Sequence, residues 1–286
     1  MPGPLESTTV AVVIPTYERR ERVLRAVASV LAQSRSADEV VVVDDGSTDG
    51  TAEALAERYP EVRVLRQPNE GVSAARNRGV AATRGRWLAF LDSDDLWFPD
   101  KLERQLTAAV DHPECPVIHC DEVWIRNGRR VNPRRHHAKR GGWIFEHCLP
   151  RCAISPSSAL VDRRLFEDLG GFAEDLPACE DYDLWLRICA RHPVLYLDER
   201  LVEKTGGHTD QLSRTPALDR YRIRALDRLL VSGILDGPPE HPMRPTTVAT
   251  LRQKIEIYGA GVKKRGRFDE LAELEAIGRR WADDPL

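Results

Sequence analysis

The sequence has little that would staple it, span a membrane or pull it onto a charged polymer. No apolar run approaches the roughly 20 residues that a membrane-spanning helix needs; the clean ones, such as Val10–Ile14 and Val40–Val43, are far shorter. Cysteine is sparse, six residues in 286 with no C-x-x-C pair. That is too few for a disulfide-stapled secreted scaffold, and the spacing of a zinc ribbon is missing. Reduced, mostly buried thiols in a cytosolic protein are expected. Met1–Thr9 has no basic region followed by an apolar stretch, so no secretory signal is expected. Neither charge dominates: 42 Lys and Arg stand against 45 Asp and Glu, a net charge of −3. Binding to nucleic acid by bulk charge is thereby excluded. Tandem repeats and low-complexity tracts are also lacking. What is present is a globular composition, 42% hydrophobic and 30% charged, long enough for one large domain or two small ones.

The first half alternates short apolar runs with helical patterns. Val10–Ile14, Val40–Val43, Val62–Leu65 and Trp87–Leu91 read as buried strands. Between them, Val23, Leu24, Val27, Ala28 and Leu31 mark one helix face. Thr48–Tyr59 and Ser73–Thr83 read as further helices, with Ser73 as a candidate N-cap. This alternation predicts an α/β fold with a mostly parallel sheet flanked by helices. Downstream, Pro99–His112 reads as a helix, and Val117–Cys120 and Glu122–Ile125 as extended. Asn127-Gly128 is a two-residue hairpin signal. Arg129–Arg140, dense in Arg, His and Lys, reads as a mobile loop. Ser157–Val161 and Val194–Leu197 read as strands. Asp162 caps a helix Arg163–Leu169, and Glu180–Arg191 is another helix. Beyond about Arg214 the pattern is helical, broken at Pro238-Pro239 and Pro242.

In such sheets ligands bind at the carboxyl ends of strands. Three strands end in polar clusters, Pro15-Thr16-Tyr17, Asp44-Asp45 and Asp92-Ser93-Asp94, so all three should gather on one rim. Asp92 and Asp94 can share a hard divalent cation that keeps positions open for phosphate oxygens. Each motif has a plainer reading: the acidic ones as polar turns and helix-start anions, Pro15-Thr16-Tyr17 as a strand terminus, Arg76 as a solvated surface side chain.

Taken together, Val-Val-Ile-Pro-Thr-Tyr (12–17), Val-Val-Asp-Asp-Gly-Ser (42–47), Ala-Ala-Arg-Asn-Arg-Gly (74–79), Phe-Leu-Asp-Ser-Asp-Asp (90–95) and Cys-Glu-Asp-Tyr-Asp-Leu-Trp (179–185) resemble the inverting family 2 glycosyltransferases. The resemblance covers roughly Thr8 to Ser213. It implies the GT-A (nucleotide-diphospho-sugar transferase) fold. The expected organisation is a 1–213 transferase domain, with 1–115 binding nucleotide and 116–213 the acceptor, and a helical extension at 214–286. It implies that Pro15, Thr16 and Tyr17 line the base and ribose pocket. Asp45, with Asp44 beside it, would read the base edge, as a carboxylate can by accepting from a ring N–H. Arg76 would face the nucleotide; Asp92 and Ser93 would approach the ribose. Asp94 and Asp92 would hold Mg²⁺ or Mn²⁺, with His208 as a third ligand or simply a packing residue. Asp181 matches the family's general base. The partners implied are a nucleoside-diphosphate sugar, UDP first with dTDP or GDP open, and a saccharide, lipid-linked or other hydroxyl acceptor.

No Gln-x-x-Arg-Trp occurs, which departs from the processive synthases of this superfamily and points to single addition. A cytoplasmic location follows, with peripheral contact at the inner face of a membrane left open. Arg129–Arg140 reads as a solvated loop, or as one that closes over donor phosphates or meets an anionic acceptor. Competing readings are a phosphatase-like hydrolase with Asp92 as nucleophile, a sugar-1-phosphate nucleotidyltransferase, and a catalytically silent nucleotide-sugar-binding module.

Overall fold

The computed structural model describes residues 8–132, 134, 137–207, 217–236 and 243–284. Among these residues the frame is a nine-stranded sheet in the order β3 (Arg63–Arg66), β2 (Glu39–Asp44), β1 (Val10–Thr16), β4 (Trp87–Phe90), β8 (Ala159–Asp162), β6 (Val117–Arg126), β9 (Leu195–Gly206) and β5 (Leu96–Trp97), with β7 (Arg129–Val131) paired to β6 alone. Strand β1 (Val10–Thr16) is buried throughout and lies between β2 (Glu39–Asp44) and β4 (Trp87–Phe90). Beyond β2 comes β3 (Arg63–Arg66). These four strands are parallel.

The α/β sheet flanked by helices is as expected, and beyond β4 its strands mix parallel and antiparallel pairing. Strand β8 (Ala159–Asp162) runs antiparallel to both β4 and β6 (Val117–Arg126). It leaves a 3-10 turn at Pro156–Ser158 where a strand start was expected, because Pro156 has no N–H for a ladder. Strand β9 (Leu195–Gly206) is parallel to β6, and β5 (Leu96–Trp97) is antiparallel to β9. The ladder between β6 and β9 shifts register at Cys120–Glu122, where the two extended segments join into one bulged strand. Strand β9 is longer than Val194–Leu197 suggested, since its later residues pair with β6 through backbone, Leu201 and Val202 buried and Glu203–Gly206 partly exposed. Likewise β7 (Arg129–Val131) is a strand where a loop was expected; Asn127-Gly128 folds it back onto β6.

Helices α1 (Arg20–Leu31), α2 (Thr51–Arg58) and α3 (Val72–Ala81) layer the parallel half, while α4 (Lys101–Asp111) packs on β6 and β9. Two main cores follow from period-2 alternation on β1. Val10, Val12 and Ile14 enter one with Val23, Val27 and Leu102; Ala11 and Val13 enter the other with Leu88 and Phe90. That second core also holds α5 (Phe145–Cys148), α6 (Arg163–Asp168), and α7 (Glu180–Cys189). It continues into α8 (Leu218–Val231), α9 (Met243–Lys264) and α10 (Phe268–Arg280), through Leu226, Leu251 and Leu274. Asp162 caps α6 as expected, accepting from Arg164 N at 2.9 Å and Leu165 N at 3.4 Å. Ser73 does not cap α3. The chain enters that helix through Gly71 at φ +93°, and the side chain that accepts the amides just ahead of the helix is Asp45. No helix among the described residues is long and apolar enough to cross a membrane. All six cysteines are free thiols.

Candidate active site

The carboxyl ends of β1, β2 and β4 converge on one cleft of about 640 Å³, closed on the far side by the start of α7. Of the candidate residues, Pro15, Thr16, Tyr17, Asp45, Arg76, Asp92, Ser93, Asp94 and Asp181 line it. Asp44 does not. Neighbouring side chains on a strand point oppositely. Asp44 is fully buried, accepts from Ser47 N–H at 2.9 Å and faces Arg66 Nε at 3.5 Å. His208 lies outside the described residues.

Tyr17 is 46% exposed, whereas Thr16 is buried with its Oγ1 unpartnered. Asp45 is held rigidly. Its Oδ1 accepts from Gln67 Nε2 at 2.8 Å and Glu70 N–H at 2.9 Å, and its Oδ2 from Gly71 N–H at 2.8 Å. A carboxylate has about four lone-pair positions, so one stays available toward the cleft.

Arg76 does not present a free guanidinium. It is buried, donating from Nη1 to Glu180 at 2.7 Å and from Nη2 to Asp92 at 2.7 Å, with the Phe172 ring 4.9 Å away. Burial works against the charges of this trio. Arg76 outweighs it at Asp92, whose carboxyl is held below the usual range, with help from Lys204. At Glu180, burial and Asp181 outweigh Arg76 and push the carboxyl up. Asp94 pairs with Arg19 at 3.3 Å. Asp95, behind it, accepts from Ser157 Oγ at 2.7 Å and Thr205 N–H at 2.9 Å. Burial, then Asp94 and Asp92, push Asp95 up to about 7 against the pull of Lys204.

Asp181 begins α7. Its Oδ1 accepts from Tyr182 N–H at 2.7 Å and its Oδ2 from the Cys152 thiol at 3.2 Å. Burial and the Asp181 charge push the Cys152 thiol well up, so it stays protonated, and its one S–H is shared between Asp181 Oδ2 and the Ile154 carbonyl, 3.1 Å from Sγ. The residue before the helix, Cys179, sits at φ +64°, a left-handed conformation that costs a non-glycine residue about 1–2 kcal/mol. Sequence reading passed over Arg19, Lys204, Cys152 and Arg222, which also line the cleft. Arg19 adjoins the Pro15-Thr16-Tyr17 motif, but the other three are delivered by non-local packing and carry no local signal.

Among the described residues, no group of three or more His, Cys, Asp or Glu is arranged to hold a metal. Asp92 and Asp94 nevertheless offer two hard oxygen donors on the cleft wall, a set that suits Mg²⁺ or Mn²⁺ with phosphate and water completing the shell.

A family model described as Glycosyl transferase family 2 matches residues 11–170. An uncharacterized glycosyltransferase of Rickettsia felis is 31% identical over 251 residues, covering 86% of this chain and 40% of that protein. The Escherichia coli UDP-Glc:alpha-D-GlcNAc-diphosphoundecaprenol beta-1,3-glucosyltransferase WfgD is 30% identical over 190 residues, 64% of this chain and 71% of WfgD. The chain spans 40% or less of the length of the Rickettsia felis, conorii and bellii relatives. Residues 1–349 of S. aureus TarS, in complex with UDP-GlcNAc, superpose with a TM-score of 0.66 at 18% identity, covering 95% of this chain and 92% of that one. The mannosyltransferase PcManGT of Pyrobaculum calidifontis, in complex with GDP-Man and Mn²⁺, gives 0.60 at 21% identity, covering 97% and 76%. At these identities the structural likeness speaks to the fold.

Proposed function

The chain belongs to glycosyl transferase family 2 and has the GT-A fold, and from that premise we propose that it moves a sugar from a nucleoside-diphosphate sugar to an acceptor hydroxyl by single displacement. The observation that carries this reading is that Asp45, Asp92, Asp94 and Asp181 all line one cleft. UDP is the proposed nucleotide and a saccharide or lipid-linked saccharide the proposed acceptor, consistent with the names of WfgD and the TarS complex. The transferase unit is proposed to end near residue 213, with the following helices as an extension that closes one cleft wall through Leu218 and Arg222. A cytoplasmic location fits these substrates.

In this proposal Pro15, Thr16 and Tyr17 receive the nucleoside, and Asp45 accepts from the base. Its three other hydrogen bonds keep it from turning away. Asp92 and Asp94 hold the divalent ion, with His208 a candidate third ligand. When bound, that ion neutralises charge on the leaving diphosphate. Arg76, which lines the cleft, also positions Asp92 and Glu180 through its two Nη donors. Asp181 accepts the acceptor hydroxyl's proton as that oxygen bonds to the anomeric carbon and the carbon–diphosphate bond breaks, inverting the centre. The Cys152 hydrogen bond fixes one Asp181 oxygen.

The test is UDP release from a panel of UDP-sugars, with and without Mn²⁺ and simple saccharide acceptors, in the wild type and Asp181→Asn. The expected result is nucleotide binding in both proteins and turnover only in the wild type. Undiminished turnover in Asp181→Asn overturns the assignment of the base.

A further inference from the structure

Between Glu122 and Glu146 the chain has no acidic residue but seven lysines and arginines, in a protein whose net charge is −3. Lys139 is used internally, pairing with buried Glu122 at 3.1 Å. Arg126, Arg129, Arg130 and Arg134 are exposed, and among the described residues none has a carboxylate at ion-pair distance. Strands β6 and β7 place Arg126 directly opposite Arg129, and Ile125 opposite Arg130. Like charges in direct cross-strand register destabilise a hairpin. This one keeps such a pair beside its turn, so a bound anionic surface would relieve a repulsion already built in.

The hairpin's position gives that surface a use. Trp124, Ile125 and Arg126 pair with Lys204, Thr205 and Gly206, and Lys204 and Thr205 line the cleft. The turn at Asn127-Gly128 therefore projects from the sheet just past the cleft wall. None of the four arginines lines the cleft itself, which argues against contact with the donor phosphates. Arg126 and Arg129 share one face of the hairpin and Arg130 takes the other, all three at its turn end, where a surface met by the tip reaches them together. A spread of guanidinium groups suits a broad anionic surface better than one phosphate.

We propose that the β6–β7 hairpin docks on an anionic lipid bilayer and holds the cleft mouth beside it, so that the acceptor is presented from the membrane. The acceptor clause rests on the transferase reading; the docking does not. The test is cosedimentation of the full chain with vesicles of phosphatidylcholine containing about 30 mol% phosphatidylglycerol, at low salt. Binding is expected to these vesicles and not to pure phosphatidylcholine, and to be lost in about 0.5 M NaCl. Each arginine removed should weaken it about fivefold, so Arg129→Glu with Arg130→Glu should lower affinity by more than about 25-fold. Arg129→Lys with Arg130→Lys should retain binding. The UDP-induced rise in melting temperature should be the same in all three proteins, which separates failure of docking from failure of the donor site. Equal binding to neutral vesicles, undiminished binding of the Glu variant, or retention by soluble polyphosphate without vesicle binding would each overturn the proposal.

Discussion

Asp92 and Glu180 come from distant parts of the chain and meet at the two ends of one buried guanidinium. Removing the cation leaves the buried Glu180 and the partly exposed Asp92 carboxylates without their shared counter-ion. Arg76→Met is therefore expected to cost about 3–5 kcal/mol in urea unfolding. A loss below about 1 kcal/mol would mean that the trio is not load-sharing. At Asp181 the thiol of Cys152 orients the carboxylate. In the transferase reading, Cys152→Ala should lower kcat about tenfold, the worth of one hydrogen bond to a charged group, with KM unchanged. Cys152→Ser, which can still donate, should restore most of it. Asp45, Asp92 and Asp94 were legible as cleft residues because each follows an apolar strand, where chain direction alone predicts the rim. Asp181, at a helix start, was reached only through the resemblance. The partners of Arg76, and the presence of Cys152 and Lys204, were not legible, since Glu180 lies 104 residues from Arg76 and Cys152 29 from Asp181.

Helix α3 packs flush on the sheet at Gly79, where an added Cβ would overlap Val13 Cγ1 and stand 3.3 Å from Val43 Cγ2. Alanine is the better helix former, yet here it meets two strands. Gly79→Ala should destabilise by about 1–3 kcal/mol by overpacking, read as a lower urea midpoint with an unchanged m-value. An unchanged midpoint would show that the helix can move outward freely. Elements with strong local signals were readable: the apolar strands, the Asn127-Gly128 turn and the Asp162 cap. The polar half of β9 was not, because its strand state comes from pairing with β6 rather than from its own pattern. Strand β7 was missed for the same reason, its charges masking a backbone that the turn had already placed.

Across the whole molecule, pH acts through buried groups of opposite sign. His119 is fully buried, with Nε2 donating to the Arg140 carbonyl at 2.9 Å; burial, then Lys139, depress its pKa to about 3. The unfolded chain takes a proton near pH 6.5 and the folded chain does not, so this residue's contribution falls as pH drops from 6.5 toward 3. Glu122 is held at about 2, Lys139 outweighing the upward push of burial, and its contribution is lost as pH falls from 4.5 toward 2. Asp95, raised to about 7 from 3.8, works the other way, favouring the fold at lower pH and losing that gain as pH rises through 7. Comparing His119→Phe with the wild type isolates the histidine. The wild type should lose up to about 1.4 kcal/mol per pH unit more than the variant between pH 6.5 and 5. Parallel stability curves would contradict a neutral, buried His119.

The reading of the whole chain turns on whether the cleft takes a nucleotide. The direct measurement is the melting temperature with UDP, dTDP, GDP or CMP, each with Mn²⁺, Mg²⁺ or EDTA, in the wild type and Asp45→Ala. A nucleoside diphosphate at a hundred times its Kd should stabilise the wild type by about 2.7 kcal/mol. EDTA should remove that shift, and so should the loss of Asp45. No shift with any nucleotide and ion would contradict the donor site at Asp45, Asp92 and Asp94.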